Sequence, residues 1–230
     1  MSRCVLGVCD GSGFRYDEAT NTAYDCRCRP QLLAQNRARS LSAVIPPMYR
    51  DVGFDRFPVT EIEPRATVDA TRRYVNRIDA NLNGGRGLWF IGPVGTGKTA
   101  LAMLVTKAAL DAGRSAARYT LPSLLSVIRR TFDTGNHVDL LERLTAVDLL
   151  HIDDIGAEQT TPWVLEELYT IVNARYEERR SMVITTNIMD KQALSDQVTE
   201  RTVSRLTEMC EELSVQGHDR RTDFRLAAEG

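Results

Sequence analysis

The run Gly92-Pro93-Val94-Gly95-Thr96-Gly97-Lys98-Thr99 fits the spacing G-x-x-x-x-G-K-[ST]. Glycines so placed let backbone N–H groups wrap a triphosphate, and the helix start at Gly97–Thr99 adds a favourable dipole. Lys98 would reach the β- and γ-phosphates, and the Thr99 hydroxyl would bind Mg2+. The stretch from Gly92 to Ala100 is therefore the candidate nucleotide loop. A plain glycine turn between strand and helix is the alternative. Context favours phosphate: the apolar run GLWFIG precedes the loop and an amphipathic helix is expected after it. Lys98 is also one of only three lysines, with Lys107 and Lys191, in a chain otherwise basic through arginine.

A second apolar run, VDLLHID, ends in the adjacent acids Asp153 and Asp154. P-loop enzymes carry such an acid at the end of a second strand, where it holds Mg2+. Asp153 is the first acid and the metal partner. Asp154 stands where many relatives place a glutamate that activates the attacking water, although aspartate is one methylene shorter. A third run, SMVITTN, brings Asn187 to a strand tip, where its amide could bond the attacking water or the γ-phosphate. TERTVSRLTEM sets Arg201 and Arg205 four residues apart on one helix face. An arginine offered to a neighbouring subunit's γ-phosphate would stabilise transition-state charge; the alternative is a solvated helix with Glu–Arg pairs. GHDRRTDF adds Arg220 and Arg221 as a phosphate sensor from the same chain.

Four of five cysteines, Cys4, Cys9, Cys26 and Cys28, fall in the first 28 residues. In a cytosolic chain this clustering argues for metal over disulfides. A tetrahedral thiolate Zn2+ site is expected, with unbound surface thiols as the alternative. Phe14 and Tyr16 before an EATN turn, and Tyr24 after it, predict two short strands between the cysteine pairs. So short a segment needs a staple, and its expected job is protein contact. Cys210 is expected on a helix as a packed small hydrophobe, and His151 as structural.

The elements that must hold these groups alternate. Residues 29–43 read as a basic helix, 45–59 as a proline-punctuated linker, and 64–82 as an amphipathic helix. From residue 87, strands at 87–92, 115–120, 147–153 and 181–187 alternate with helices at 96–113, 121–133, about 138–146 and 161–180. The last of these is capped by Thr161 with Pro162 at its first position. The remaining 43 residues read as helical apart from a polar end. Such alternation predicts a parallel sheet with helices on both faces. Length and a 43% hydrophobic content suit one α/β domain with a small appendage. No apolar run approaches the ~20 residues of a membrane span and no signal-peptide pattern opens the chain, so a cytoplasmic protein is expected. A net charge of −2 means any nucleic-acid site must be local; Arg129 and Arg130 could touch DNA phosphates or form a solvated face.

GPVGTGKT, LLHIDDIGAEQTTPW, ITTN and ERTVSRL together resemble the AAA+ ATPases of the DnaC/DnaI helicase-loader family and its sister group, the IstB transposition helpers. The resemblance covers about residues 45–225, with IPPMYRDVGF resembling the family's entry segment. It implies a P-loop AAA+ core with a reduced helical lid over 45–230, behind a cysteine-rich docking module over 1–44. It also implies a slow, partner-stimulated ATPase that holds ATP–Mg2+ between subunits. Its partners would be the replicative hexameric helicase and single-stranded DNA. Arg205 would be the arginine finger and Arg221 the second sensor. The alternative function is an IstB-like helper that binds DNA and recruits a transposase.

Overall fold

The computed structural model describes residues 4, 6–18, 20–29, 32, 45–156 and 161–220. Near the N-terminus, β1 (Phe14–Asp17) and β2 (Thr22–Asp25) pair antiparallel, with Phe14 opposite Asp25. This is the hairpin that the aromatic spacing predicts. The basic helix expected over 29–43 lies largely outside the described residues.

Strand β3 (Gly87–Ile91) is buried throughout. Its period-two alternation sends Leu88 and Phe90 into one core and Trp89 and Ile91 into the other. A continuous apolar run is what a strand covered on both faces requires. With β4 (Ala116–Thr120), β5 (Leu149–Asp153), β6 (Ser181–Thr186) and β7 (Cys210–Ser214), it forms a five-stranded sheet in the order β4-β5-β6-β3-β7. Every pair is parallel. Helices α1 (Arg65–Asn76), α2 (Ile78–Asn83) and α3 (Lys98–Asp111) cover one face. The other face carries α4 (Leu121–Thr134), α5 (His137–Ala146), α6 (Pro162–Glu177), α7 (Lys191–Val198) and α8 (Glu200–Met209).

Three expectations are corrected. The helix read over 64–82 is two helices, broken at Arg77, whose ψ of 30° departs from helical geometry. Helix α3 is buried on all sides from Ala100 to Thr106 instead of being amphipathic, because it runs between the sheet and the α1 layer. The tail after Asn187 is not helical up to a polar end: Cys210–Ser214 is a fifth strand, and Cys210 opens it. Glutamates and leucine in CEELS carry helix propensity, but the open edge of β3 supplies a ladder from Gly87↔Cys210 to Ile91↔Ser214, and tertiary pairing overrides local preference. Cys210 is buried as expected. Beyond β7 the described chain runs only to Arg220.

The connection from β3 through α3 reaches the far edge strand β4, past positions later filled by β6 and β5. Loops leaving β3, β5 and β6 therefore open side by side at the carboxyl edge of the sheet. Parallel α/β sheets bind ligands in such a crevice.

Candidate functional site

The loop after β3 turns back on itself through Gly95 (φ +75°) and Gly97 (φ +103°), backbone that L side chains rarely adopt. The close approach matters as much as the angle. A Cβ on Gly95 would lie 1.9 Å from Asp219 Oδ1, and one on Gly92 would lie 1.9 Å from the Val215 carbonyl oxygen. Thr96 Oγ1 and Lys98 Nζ both donate to the Pro93 carbonyl, at 2.9 and 2.6 Å. Lys98 is thereby buried along its own loop, while Val94 stands exposed at the rim.

Strand register brings the acids to this loop. Asp153 ends β5, and its Oδ1 accepts from Thr99 Oγ1 at 3.1 Å and from Thr185 Oγ1 at 2.7 Å. Its Oδ2 accepts from Arg118 Nη2 at 3.0 Å. Burial opposes ionisation of Asp153, but contacts with His151, Thr185 and Arg118 outweigh it and hold the carboxyl well below the usual range. His151 is fully buried, which pushes its own pKa down, so Arg118 is the lasting positive charge on this carboxylate. Asp154 takes a left-handed backbone (φ +62°), its N–H donating to Thr185 Oγ1 at 2.8 Å. Asn187 Nδ2 donates to the Asp154 carboxylate, so the two expected water-handling groups touch.

A cleft of about 780 Å³ joins these groups. Gly95, Gly97, Lys98, Thr99 and Ala100 line it, with Asp153, Asp154 and Asn187 at the sheet edge. Its other wall comes from the proline-rich segment, including Pro47, Tyr49, Val52 and Phe57. The donor set suits a nucleotide with its cation. Hydroxyl and carboxylate oxygens of Thr99 and Asp153 face each other, and hard oxygen ligands are what Mg2+ takes.

Arg205 lies elsewhere. It is not among the residues lining its own chain's cleft. On α8 its guanidinium stacks 4.3 Å from the Tyr176 ring centroid, and Nε donates to Asn173 Oδ1 at 3.3 Å. Arg221 lies outside the described residues. Its neighbour Arg220 lines the cleft and binds the phosphate loop: its N–H donates to Gly95 O at 3.1 Å and its Nη1 to Thr96 O at 2.9 Å.

Among the described residues, Cys4, Cys9, Cys26 and Cys28 form a cluster whose sulfurs all lie within 4.8 Å of one another. Cys26 and Cys28 are buried. Backbone N–H groups of Val8 and Cys9 hold the Cys4 thiol down to about 6. Four convergent sulfurs suit a tetrahedral soft-metal site.

Sequence reasoning missed Arg118 and Thr185. Both touch Asp153 only because β4 and β6 flank β5. The signal for Thr185 was present in ITTN, two residues before the asparagine; a lone arginine on β4 carried none.

The profile of the family described as IstB-like ATP binding protein matches residues 58–228. The replicative helicase loader DnaC of Buchnera aphidicola (subsp. Acyrthosiphon pisum) is 26% identical over 183 residues, 76% of this chain and 73% of that protein. The crystal structure of the DnaC helicase loader superposes with a TM-score of 0.66 at 26% identity, covering 74% of this chain and 100% of that one. The crystal structure of DnaI shares the fold, with a TM-score of 0.59 at 22% identity over 80% of this chain. The resemblance drawn from the sequence motifs therefore holds, and the core is a P-loop AAA+ fold.

Proposed function

The chain belongs to the family of IstB-like ATP binding proteins, and from that premise we propose that it is an ATP-dependent loader or remodeller of the replicative DNA helicase. The observation that carries this reading is the meeting of Thr99 and Asp153 at 3.1 Å beside a glycine-turned loop, with Asp154 and Asn187 hydrogen-bonded to each other in the same cleft. The likeness to DnaC loaders supports the replication role.

On this reading the backbone N–H groups from Gly95 to Thr99 cradle the phosphates, and Lys98 leaves the Pro93 carbonyl for the β- and γ-oxygens. Thr99 and Asp153 would hold Mg2+, which would neutralise charge on the phosphates. Asp154 orients the attacking water and accepts its proton. Asn187 fixes that carboxylate and bonds the water or γ-phosphate. Subunits associate through the ATP site, and Arg205, which does not line its own chain's cleft, completes the neighbour's. Turnover is slow without partners, since Asp154 is one methylene shorter than glutamate. Arg220, or Arg221 beyond the described residues, reports the nucleotide to the C-terminal segment. Single-stranded DNA is the nucleic-acid partner. The N-terminal module binds one structural Zn2+ through its four cysteines and docks the partner protein. Metal analysis of reduced protein should find about one zinc per chain; a value well below one equivalent would defeat the site.

The family match also favours a second reading, a transposition helper that recruits a transposase. Affinity capture from the native cell separates the two. With ATP present, the tagged full chain should retain the replicative helicase, and Lys98→Ala should lose it together with nucleotide binding. Capture of a transposase, or no helicase with the full chain, would remove the loader assignment and leave the ATPase core standing.

A further inference from the structure

The carboxylate of Asp153 has its two oxygens committed differently. Oδ1 takes the hydroxyl protons of Thr99 and Thr185 and faces the phosphate loop. Oδ2 takes a guanidinium, Arg118 Nη2 at 3.0 Å, from the neighbouring strand. Parallel register sets this up, pairing Arg118 with His151 and Thr120 with Asp153, so that all four side chains share the α3 face of the sheet. Arg118 itself is partly buried, and its Nε lies buried without a hydrogen-bond partner.

That arrangement is poorly explained by stability. An ion pair taken largely out of water seldom beats apolar side chains of similar volume, and this part-buried one leaves a buried guanidinium N–H unsatisfied. It is well explained by control of charge. A site for a divalent cation is here already balanced by a monovalent one, within the same carboxylate.

We propose that Arg118 is a resident counter-ion of the metal-binding carboxylate, a positioning residue that keeps Oδ2 engaged and weakens the site's hold on Mg2+ until nucleotide phosphates add negative charge. The proposal rests on the ATP–Mg2+ reading of the cleft. In the nucleotide-free protein the cation would have Asp153 already neutralised by Arg118, and Asp154 held by Asn187. Mg2+ generally binds through one or two carboxylates plus substrate phosphates and keeps several waters. Metal entry is thereby tied to nucleotide entry, and an empty site stays free of cation.

The test is a Mg2+ titration of the affinity for a fluorescent ATP analogue, on the full chain, in wild type, Arg118→Gln and Arg118→Lys. A charge within about 4–6 Å shifts an equilibrium of this kind by about one to three powers of ten. Arg118→Gln, which removes the charge, should lower the Mg2+ midpoint about tenfold. Arg118→Lys, which keeps it, should stay within about threefold of wild type. Circular dichroism and the melting temperature check the fold, and Arg118→Met repeats the measurement should the glutamine variant unfold. A midpoint that stays put or rises when the charge is removed overturns the proposal while leaving the ATP reading intact. Wild type that binds no analogue at all, at any Mg2+ concentration, defeats the ATP reading and the proposal with it.

Discussion

Asp154 and Asn187 stand 33 residues apart and are joined by one hydrogen bond at the end of two neighbouring strands. On the proposed reading Lys98 holds phosphate while Asp154 and Asn187 handle the attacking water, so their roles in binding and in chemistry should separate. Asn187→Ala should lower kcat about 100-fold, the scale of removing one preorganised donor, with KM changed less than about threefold. Asp154→Asn should do the same, and the double variant should lose little more than either alone, because each group acts through the other. Steady-state kinetics decide this; a rise in KM as large as the fall in kcat would make Asn187 a binding group. The left-handed backbone at Asp154 is part of the same device. It turns the chain just after Asp153, so that two adjacent aspartates face different partners: Thr99, Thr185 and Arg118 for the first, Asn187 for the second.

Element placement depends on a residue far from the cleft. Arg175, on α6, is fully buried. Its Nη1 donates to the carbonyls of Leu144 and Thr145, at the C-terminal end of α5, and its Nη2 to those of Val147 and Ser181, where β5 and β6 begin. Burial lowers its pKa to about 9, which still leaves it charged at neutral pH. One guanidinium thus satisfies the terminal carbonyls of a helix and fixes the starts of both strands that carry the acids. Arg175→Met keeps the hydrocarbon and orphans those carbonyls. At about 1–3 kcal/mol for each buried unsatisfied group, partly relieved by relaxation, the loss should be about 3 kcal/mol or more. Urea unfolding measures it. An unchanged midpoint would mean the carbonyls find other donors. Helix α6 itself begins where its sequence says, with the Thr161 hydroxyl accepting from the Val164 N–H at 3.4 Å.

At the scale of the whole molecule, the proposed arginine lies on the opposite layer from the loop it would serve, so activity should require two chains. Subunits carrying Lys98→Ala bind no ATP but still offer Arg205. Subunits carrying Arg205→Ala bind ATP but offer no arginine. Each alone should be nearly inactive, and an equimolar mixture should recover ATP hydrolysis well above the sum of the two. A mixture no more active than its parts would return Arg205 to its observed company of Tyr176, Asn173 and Glu208 as a surface tie between α6 and α8.

The sequence by itself determined whatever is local or strictly periodic. The phosphate loop was legible because glycine, lysine and threonine must stand at fixed spacing for backbone amides to meet a phosphate. Strands β3, β5 and β6 were legible because burial on both faces demands unbroken apolar runs. Asp153, Asp154 and Asn187 followed, since each sits where such a run stops, and the cysteine cluster followed from four sulfur residues in one short segment. Tertiary structure alone decided what depends on neighbours. Strand order put Arg118 and Thr185 against Asp153, although nothing near either residue says which strand will lie beside it. The open edge of β3 made a strand of Cys210–Ser214 against its helix propensity, and the α1 layer buried α3 on every side. Pairing across a sheet is a long-range choice, fixed by how all the apolar faces are covered at once, and no window of sequence contains it.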